Sequence, residues 1–242
     1  MQKKEEKVYS ALLVIIYLAF ISLGLPDTLL GSAWPQMHIE LNASLSSAGI
    51  ITMIISMGTV ISSLFSDRLN IKLGTGKVTA ISVLMTAVAL LGFSLSHSFI
   101  ILCVLAVPYG LGAGAVDAAL NNYVALHYSS KHMSWLHCFW GVGASIGPYI
   151  IGTCMAHGLG WRGGYSVISV IQFTLTAALF ITLPLWKKVE NSENNVSNGS
   201  NERTQEEPQE RKAKSLSEVL HIKGVIYILF AFFCYSAVEQ TT

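Results

Sequence analysis

Three carboxylates lie in stretches of sequence that otherwise hold almost no charge. Asp27, Asp117 and Glu239 each follow or interrupt a long apolar run. A charged side chain at the centre of a bilayer costs at least about 2.5 kcal/mol, so such residues face a protein interior or a water-filled cavity. We therefore predict that these three carboxylates have a functional role inside the bundle.

Asp117 belongs to a pattern that one helix face would display. Gly110, Gly114, Asp117 and Asn121 are spaced i, i+4, i+7 and i+11, which places them on a single face. Glycines allow neighbouring helices to approach closely in lipid. We predict that Asp117 and Asn121 are functional residues; the alternative is an aspartic acid held neutral in a structural hydrogen bond.

Asp27 follows Pro26, which lacks a backbone donor and predicts a break in the first helix. Broken helices in transporters expose backbone polar groups to a solute cavity. At 1.5 Å per residue, we expect Asp27 in the outer half of the bilayer and Asp117 nearer the cytoplasm. The alternative is that Asp27 only caps the outer stub of a kinked helix.

Aromatic and polar side chains in the fourth and fifth apolar runs are candidates for the wall of a solute cavity. Aromatic faces stack on sugar rings, and histidine can bond to hydroxyls or carry a proton. We assign His137 to coupling or solute binding, and Asn122, Phe139 and Trp140 to the cavity. The alternative for the tryptophan is plain packing or a place in the interfacial belt.

The elements that must position these residues are membrane-spanning helices. Charged residues are 12% of the 242-residue chain and hydrophobic ones 52%, whereas soluble proteins have about 25% charged residues. This excludes a soluble enzyme, and the net charge of +1 gives no field to attract nucleic acid. Apolar runs of spanning length predict an all-α membrane protein with six helices at 8–30, 45–65, 78–95, 99–126, 133–156 and 165–186.

Charge also divides the chain into regions and orients it. We predict a helical bundle over 1–186, a charged solvated linker over 187–221 and the start of a seventh span over 222–242. Fourteen of the 15 lysines and arginines fall on one side of the predicted membrane and Arg162 alone falls on the other. The positive-inside rule then places the N-terminus and the linker in the cytoplasm, which suits a multi-pass protein of the plasma membrane or cell inner membrane.

Metal and cofactor chemistry are not indicated. His127, His132 and His137 are spaced by five, which does not align them on one helix face. No H-E-x-x-H or Walker loop occurs in the sequence. We expect no metal and no cofactor, with a proton gradient as the energy source.

The sequence between the second and third spans, running from Gly58 to Lys77, resembles the signature loop of the major facilitator superfamily, G-x-x-x-D-R-x-G-R-K. The match is partial, because a small residue replaces the opening glycine and the basic run is altered. By that resemblance the protein is one six-helix half of a twelve-helix transporter, and Asp67 and Arg68 form a cytoplasmic gate. The alternative for this pair is ordinary loop charge on the cytoplasmic side.

Within that superfamily the chain is similar to the fucose–proton symporter branch. The acidic first span, the Asp-x-x-x-Asn of the fourth, the L-H-x-F-x-G-x-G of the fifth and Glu239 carry the similarity. The similarity implies proton-coupled symport of a sugar or similar polar solute by alternating access. It also implies that Asp27 and Asp117 couple protonation to sugar binding, and we assign Asn121, His137 and Glu239 to coupling or substrate binding with them. The segment from Gly143 to Gly152 instead resembles an antiporter motif, G-x-x-x-G-P-x-x-G-G.

Two alternatives to symport therefore remain: a proton-driven exporter of drugs or other small molecules, and a non-transporting membrane scaffold or sensor. We expect the lipid bilayer and a small solute as partners. We also expect the missing C-terminal half, or a second copy, to be required, because the seventh span is still running at Thr242.

Overall fold

The computed structural model describes residues 2–200, 221–222, 224–231 and 234. The chain divides into two units, 1–205 and 206–242. The first unit holds seven α-helices, whose bounds are α1 Gln2–Asp27, α2 Leu29–Glu40, α3 Ala48–Leu73, α4 Thr75–Leu95, α5 Phe99–His127, α6 Ser130–Ala156 and α7 Gly160–Ser200. In the second unit, the described residues 225–231 are helical.

Within the described residues, six spans are long and apolar enough to cross a membrane, as the sequence predicts. Helices α1 and α2 together make the first of them, over Tyr9–Glu40. The predicted break in that span is confirmed: α1 ends at Asp27 and α2 begins at Leu29, with Thr28 between them. Pro26 lies in the last turn of α1, where a missing backbone donor favours such a break. The break leaves Asp27 at the junction of two helical segments.

The sequence between the second and third spans differs from the predicted loop. Helix α3 continues to Leu73, so Asp67 and Arg68 lie on helix rather than in a loop. Gly74 alone separates α3 from α4, and its φ of 81° is a conformation that favours glycine. The length of an apolar run predicts only the part of a helix that crosses the membrane. Charged residues can extend the same helix into water.

Glycines lie at the contacts between several helices, among them α1 with α6 and α3 with α5. On α6, a Cβ at Gly143 would meet the carbonyl oxygen of Ile21, and one at Gly147 would meet that of Leu25, both on α1. On α5, a Cβ at Gly114 would meet the carbonyl of Thr59 on α3. Small residues let backbones approach this closely in lipid, so these glycines fix the α1–α6 and α3–α5 contacts.

The core consists of two clusters of buried apolar residues. Trp186 belongs to one cluster and Trp161 to the other, and both tryptophans are almost fully buried. A buried polar pair also joins α1 to α7: Ser22 Oγ donates to Gln172 Oε1 at 2.7 Å, and Gln172 Nε2 donates to the Ser22 carbonyl at 2.6 Å. The pair satisfies polar groups that would otherwise be costly to bury.

The sixth span continues as helix beyond its apolar part. Its membrane-spanning portion is Gly160–Lys187, which agrees with the predicted end near residue 186, but α7 remains helical to Ser200. The beginning of the segment expected to be an unfolded linker is therefore helical. Trp186 packs against Tyr123, with ring centroids 5.0 Å apart, at the start of this extension.

Candidate functional site

Asp27 is held by two neutral donors from two other helices. The Tyr109 hydroxyl on α5 donates to Asp27 Oδ1 at 3.2 Å. Trp140 Nε1 on α6 donates to Asp27 Oδ2 at 2.8 Å. The carboxylate therefore does more than cap a helix stub, because it joins the break in the first span to α5 and α6.

Asp117 and Asn121 pair along α5, as their spacing predicts. Asn121 Nδ2 donates to Asp117 Oδ1 at 2.9 Å. Asn121 Oδ1 is buried and has no hydrogen-bond partner within the part of the chain that the structure describes. A buried acceptor without a partner is uncommon in proteins, so this oxygen is available to a donor on water or on a solute.

Asp117 and His137 lie on the two helices that donate hydrogen bonds to Asp27. Tyr109 links Asp27 to α5, which also carries Asp117, and Trp140 links it to α6, which also carries His137. His137 and Asp27 are also exposed at the surface of the bundle. The structure thus brings together two carboxylates, one amide and one imidazole that the sequence assigns to coupling and solute binding.

Aromatic rings continue this face toward the N-terminal end of α1. Phe139 lies against Tyr17, with ring centroids 4.7 Å apart. The hydroxyl of Tyr17 and Nδ1 of His132 are 2.7 Å apart. His137 meets Phe20 edge-on, with centroids 6.4 Å apart. Phe139 and Trp140 are both partly exposed, as side chains bordering a cavity would be.

A cavity of about 190 Å³ opens beside Asp27, on the side of α2. Its polar side chains are Asp27, Thr52, Tyr109 and Tyr165. The rest of its wall is apolar and comes from four helices, α1 to α4. The apolar lining residues are Pro26, Leu30, Gly31, Ala48, Ile55, Leu90 and Phe93.

Three predicted residues lie away from this cluster, and one lies outside the described residues. Asn122 is exposed, and its Nδ2 lies 3.5 Å from Asp67 Oδ1, so it contacts the predicted gate residue on α3 instead of the Asp27 cavity. Asp67 and Arg68 are exposed near the end of α3. Glu239 is not among the described residues, so its predicted role in coupling stays a prediction.

Sequence reasoning missed two groups of residues. Tyr109 directly precedes Gly110 of the α5 glycine pattern, and its place eight residues before Asp117 could have indicated it.

Arg162 forms an ion pair with Glu40, donates to the Ser96 carbonyl at 3.0 Å and lies 4.3 Å over the Trp161 ring. Its isolation as the one basic residue on its side of the membrane was the available signal.

Six apolar spans around a polar cluster define a multi-pass helical membrane protein. The profile of the Major Facilitator Superfamily matches residues 16–242. The chain belongs to this superfamily of membrane transporters.

Curated relatives match the chain at low identity. It is 25% identical over 116 residues to the uncharacterized transporter y4wD of Sinorhizobium fredii, covering 47% of the chain and 31% of that protein. It is 24% identical over 160 residues to synaptic vesicle glycoprotein 2B of Rattus norvegicus, covering 64% and 23%. Synaptic vesicle glycoprotein 2C of the same organism is 24% identical over 168 residues, covering 67% and 23%. The chain thus matches less than a third of the length of each relative.

Proposed function

We propose that this chain forms the N-terminal bundle of a proton-coupled symporter, which carries a sugar or a similar polar solute by alternating access. The observation that supports this most strongly is the Asp27 carboxylate, which accepts hydrogen bonds from Tyr109 and Trp140 within the membrane-spanning region. Placing a negative charge there is costly, and binding a proton or a solute donor offsets that cost.

The solute class follows from the chemistry around the two aspartates. Asp117, Asn121 and His137 supply donors and acceptors that suit hydroxyl groups, and Asn121 Oδ1 has an unused acceptor site among the described residues. Trp140 and Phe139 supply aromatic faces on which a sugar ring can stack. The resemblance to the fucose–proton symporter branch supports the same class of solute.

The two alternatives draw less support from the geometry. Of the α6 glycines that resemble an antiporter motif, Gly143 and Gly147 pack against α1, and such packing suits an exporter and a symporter equally. A scaffold or sensor would have no need for two carboxylates within membrane-spanning helices. The proposal takes a proton gradient as the energy source. It includes no enzymatic activity, no metal and no cofactor.

The proposal also assigns partners, location and gating. A second six-helix bundle or a second copy of the chain covers the face that exposes Asp27 and His137, since lipid would not solvate them. The protein lies in the plasma membrane with its N-terminus and linker in the cytoplasm. Asp67 and Arg68 form the cytoplasmic gate, and Asn122 on α5 contacts Asp67.

Uptake by membrane vesicles tests the proposal. Vesicles holding the chain with its second bundle receive a panel of labelled sugars under a proton gradient, a sodium gradient or no gradient. We expect a proton gradient to drive accumulation of at least one sugar, and we expect Asp117→Asn to reduce that accumulation to background. Extrusion of a lipophilic dye without sugar uptake would support the exporter instead.

Lys131→Gln is a matched control because Lys131 is exposed and belongs to none of the predicted coupling, cavity or gate residues. We expect this variant to accumulate sugar with the same pH dependence as the wild type. If sugar accumulation persists in both Asp27→Asn and Asp117→Asn, the two aspartates do not couple proton movement to sugar transport.

A further inference from the structure

The cavity beside Asp27 is large enough and polar enough to hold water. A water molecule occupies about 30 Å³ in the liquid and needs polar partners to enter a protein. The cavity of about 190 Å³ offers the Asp27 carboxylate and the hydroxyls of Thr52, Tyr109 and Tyr165. It therefore has room for several water molecules, with an ionisable group at its wall.

The two donors to Asp27 respond differently when the carboxylate takes up a proton. A tyrosine hydroxyl can donate or accept a hydrogen bond, whereas an indole N–H can only donate. A proton on Oδ2 would weaken the hydrogen bond from the Trp140 N–H, because the hydroxyl oxygen of a carboxylic acid is a poorer acceptor than its carbonyl oxygen. A proton on Oδ1 is accommodated, because the Tyr109 hydroxyl can turn and accept it while Trp140 continues to donate to Oδ2.

Tyr109 is also the donor that borders the cavity. It lines the cavity together with Asp27, whereas Trp140 does not. Phe93 packs against the rings of both Tyr109 and Tyr165, with centroids 6.4 Å and 5.6 Å away, and so fixes this wall. The side of Asp27 that can accept a proton is thus the side that faces the cavity.

We propose that this cavity is an aqueous path for protons to Asp27, with the proton bound at Oδ1 and Tyr109 as the residue that accommodates it. A hydronium ion in the cavity gives its proton to Oδ1 and leaves water. The new O–H group donates to the Tyr109 oxygen, whose own hydrogen turns toward the cavity. This inference rests on the proposed function, because it assumes that Asp27 binds the coupled proton.

Few other titratable groups surround this path. Within the described residues, they are Asp117 on α5, His137 on α6 and Tyr165 on α7, besides Tyr109 itself. Helices α3 and α4 contribute only Thr52 and apolar side chains to the cavity. The solute-binding groups Asn121 and His137 do not line it, so proton entry and solute binding occupy different sides of Asp27.

Thiol labelling tests whether water reaches the cavity. In a chain whose four cysteines, Cys103, Cys138, Cys154 and Cys234, are replaced by serine, Thr52→Cys places a thiol at the cavity wall. Val104→Cys is the matched control, because Val104 is 64% exposed on the bundle surface but does not line the cavity. We expect a charged, membrane-impermeant thiosulfonate to label Thr52→Cys and to leave Val104→Cys unlabelled.

Infrared difference spectroscopy of the chain after a pH jump tests whether protons use the path. The protonated-carboxyl band of Asp27 is the band that Asp27→Asn removes. Gly31→Leu fills the cavity, and Gly152→Leu is its control, since an added Cβ at either glycine meets no atom within 4 Å. We expect Gly31→Leu to slow the appearance of the band at least about tenfold, equivalent to about 1.4 kcal/mol in barrier height, and Gly152→Leu to leave it unchanged.

The same spectra locate the proton on one oxygen. With the proton on Oδ1, Oδ2 is the carbonyl oxygen that accepts from Trp140. Trp140→Phe should then raise the carbonyl stretching frequency more than Tyr109→Phe does. The reverse order would place the proton on Oδ2 and overturn the assignment to Tyr109.

The outcomes separate this inference from the proposed function. An Asp27 band that rises at the wild-type rate in Gly31→Leu, with no labelling of Thr52→Cys, overturns the path while leaving Asp27 as a proton-binding residue. Spectra without any Asp27 band at any pH overturn both, because Asp27 would then bind no proton.

Discussion

At the scale of single residues, the Asp27 and Asp117 carboxylates lie in membrane-spanning helices and accept hydrogen bonds from neutral side chains. The spacing of Asp117 and Asn121 predicts their contact, because residues four apart on a helix lie side by side. The Tyr109 and Trp140 bonds to Asp27 could not be predicted in the same way. They cross between helices 82 and 113 residues apart in sequence, and only the packed bundle brings them together.

Arg162 gives a prediction about stability at the residue scale. It joins α7 to Glu40 of α2 and to the Ser96 carbonyl between α4 and α5, while its side chain is 31% exposed. We expect Arg162→Ala to lower the free energy of unfolding by about 1–2 kcal/mol, because a charged hydrogen-bonded donor is lost. Thermal unfolding in detergent, with Arg68→Ala as an exposed control, measures the effect. Equal effects of the two substitutions would count against an anchoring role for Arg162.

At the scale of helices, apolar length predicts the six spans and Pro26 predicts the break in the first. The extents of α3 and α7 could not be predicted in this way. The ends of α3 and α7 carry polar and charged residues. A prediction based on apolar length assigns such residues to loops, although they can also form helix in water. The consequence at the site is that Asp67 lies on a rigid helix, within reach of Asn122 on α5.

Glycine contacts give a prediction at the element scale. A Cβ at Gly143 would meet the backbone of Ile21, whereas one at Gly152 meets no atom within 4 Å. We expect Gly143→Ala to lower the free energy of unfolding by about 1–3 kcal/mol through overpacking of α1 against α6. Gly152→Ala should leave it unchanged or raise it by up to about 1 kcal/mol. Thermal unfolding of the two variants measures this difference. A Gly143→Ala variant as stable as the wild type would argue against close packing of α1 against α6.

At the scale of the whole molecule, the bundle leaves a polar face uncovered. Asp27 and His137 are exposed on it, yet both belong to spans that are long enough to cross the membrane. A lipid-facing carboxylate would be costly, so another protein surface or a water-filled space must cover this face. The sequence predicts the polar residues, but their assembly on one face emerges only from the packing of α1, α5 and α6.

This arrangement predicts dependence on a second bundle. We expect the 242-residue chain alone to insert in the membrane without accumulating solute, and to gain accumulation when it is joined to a second six-helix bundle. Labelled-sugar uptake by cells expressing either form provides the comparison. Accumulation by the chain alone, in a strictly monomeric form, would contradict the need for a covering partner.

The most direct test of proton-coupled symport is a simultaneous record of proton and solute movement. Right-side-out vesicles holding the chain with its second bundle are placed in a weakly buffered medium, and a transported sugar is added while the external pH is recorded. We predict that the medium becomes more alkaline as sugar enters, and that Asp27→Asn abolishes this alkalinisation while sugar exchange at equal pH persists. Sugar entry without any pH change in the wild type, or an undiminished pH change in Asp27→Asn, would contradict the central claim.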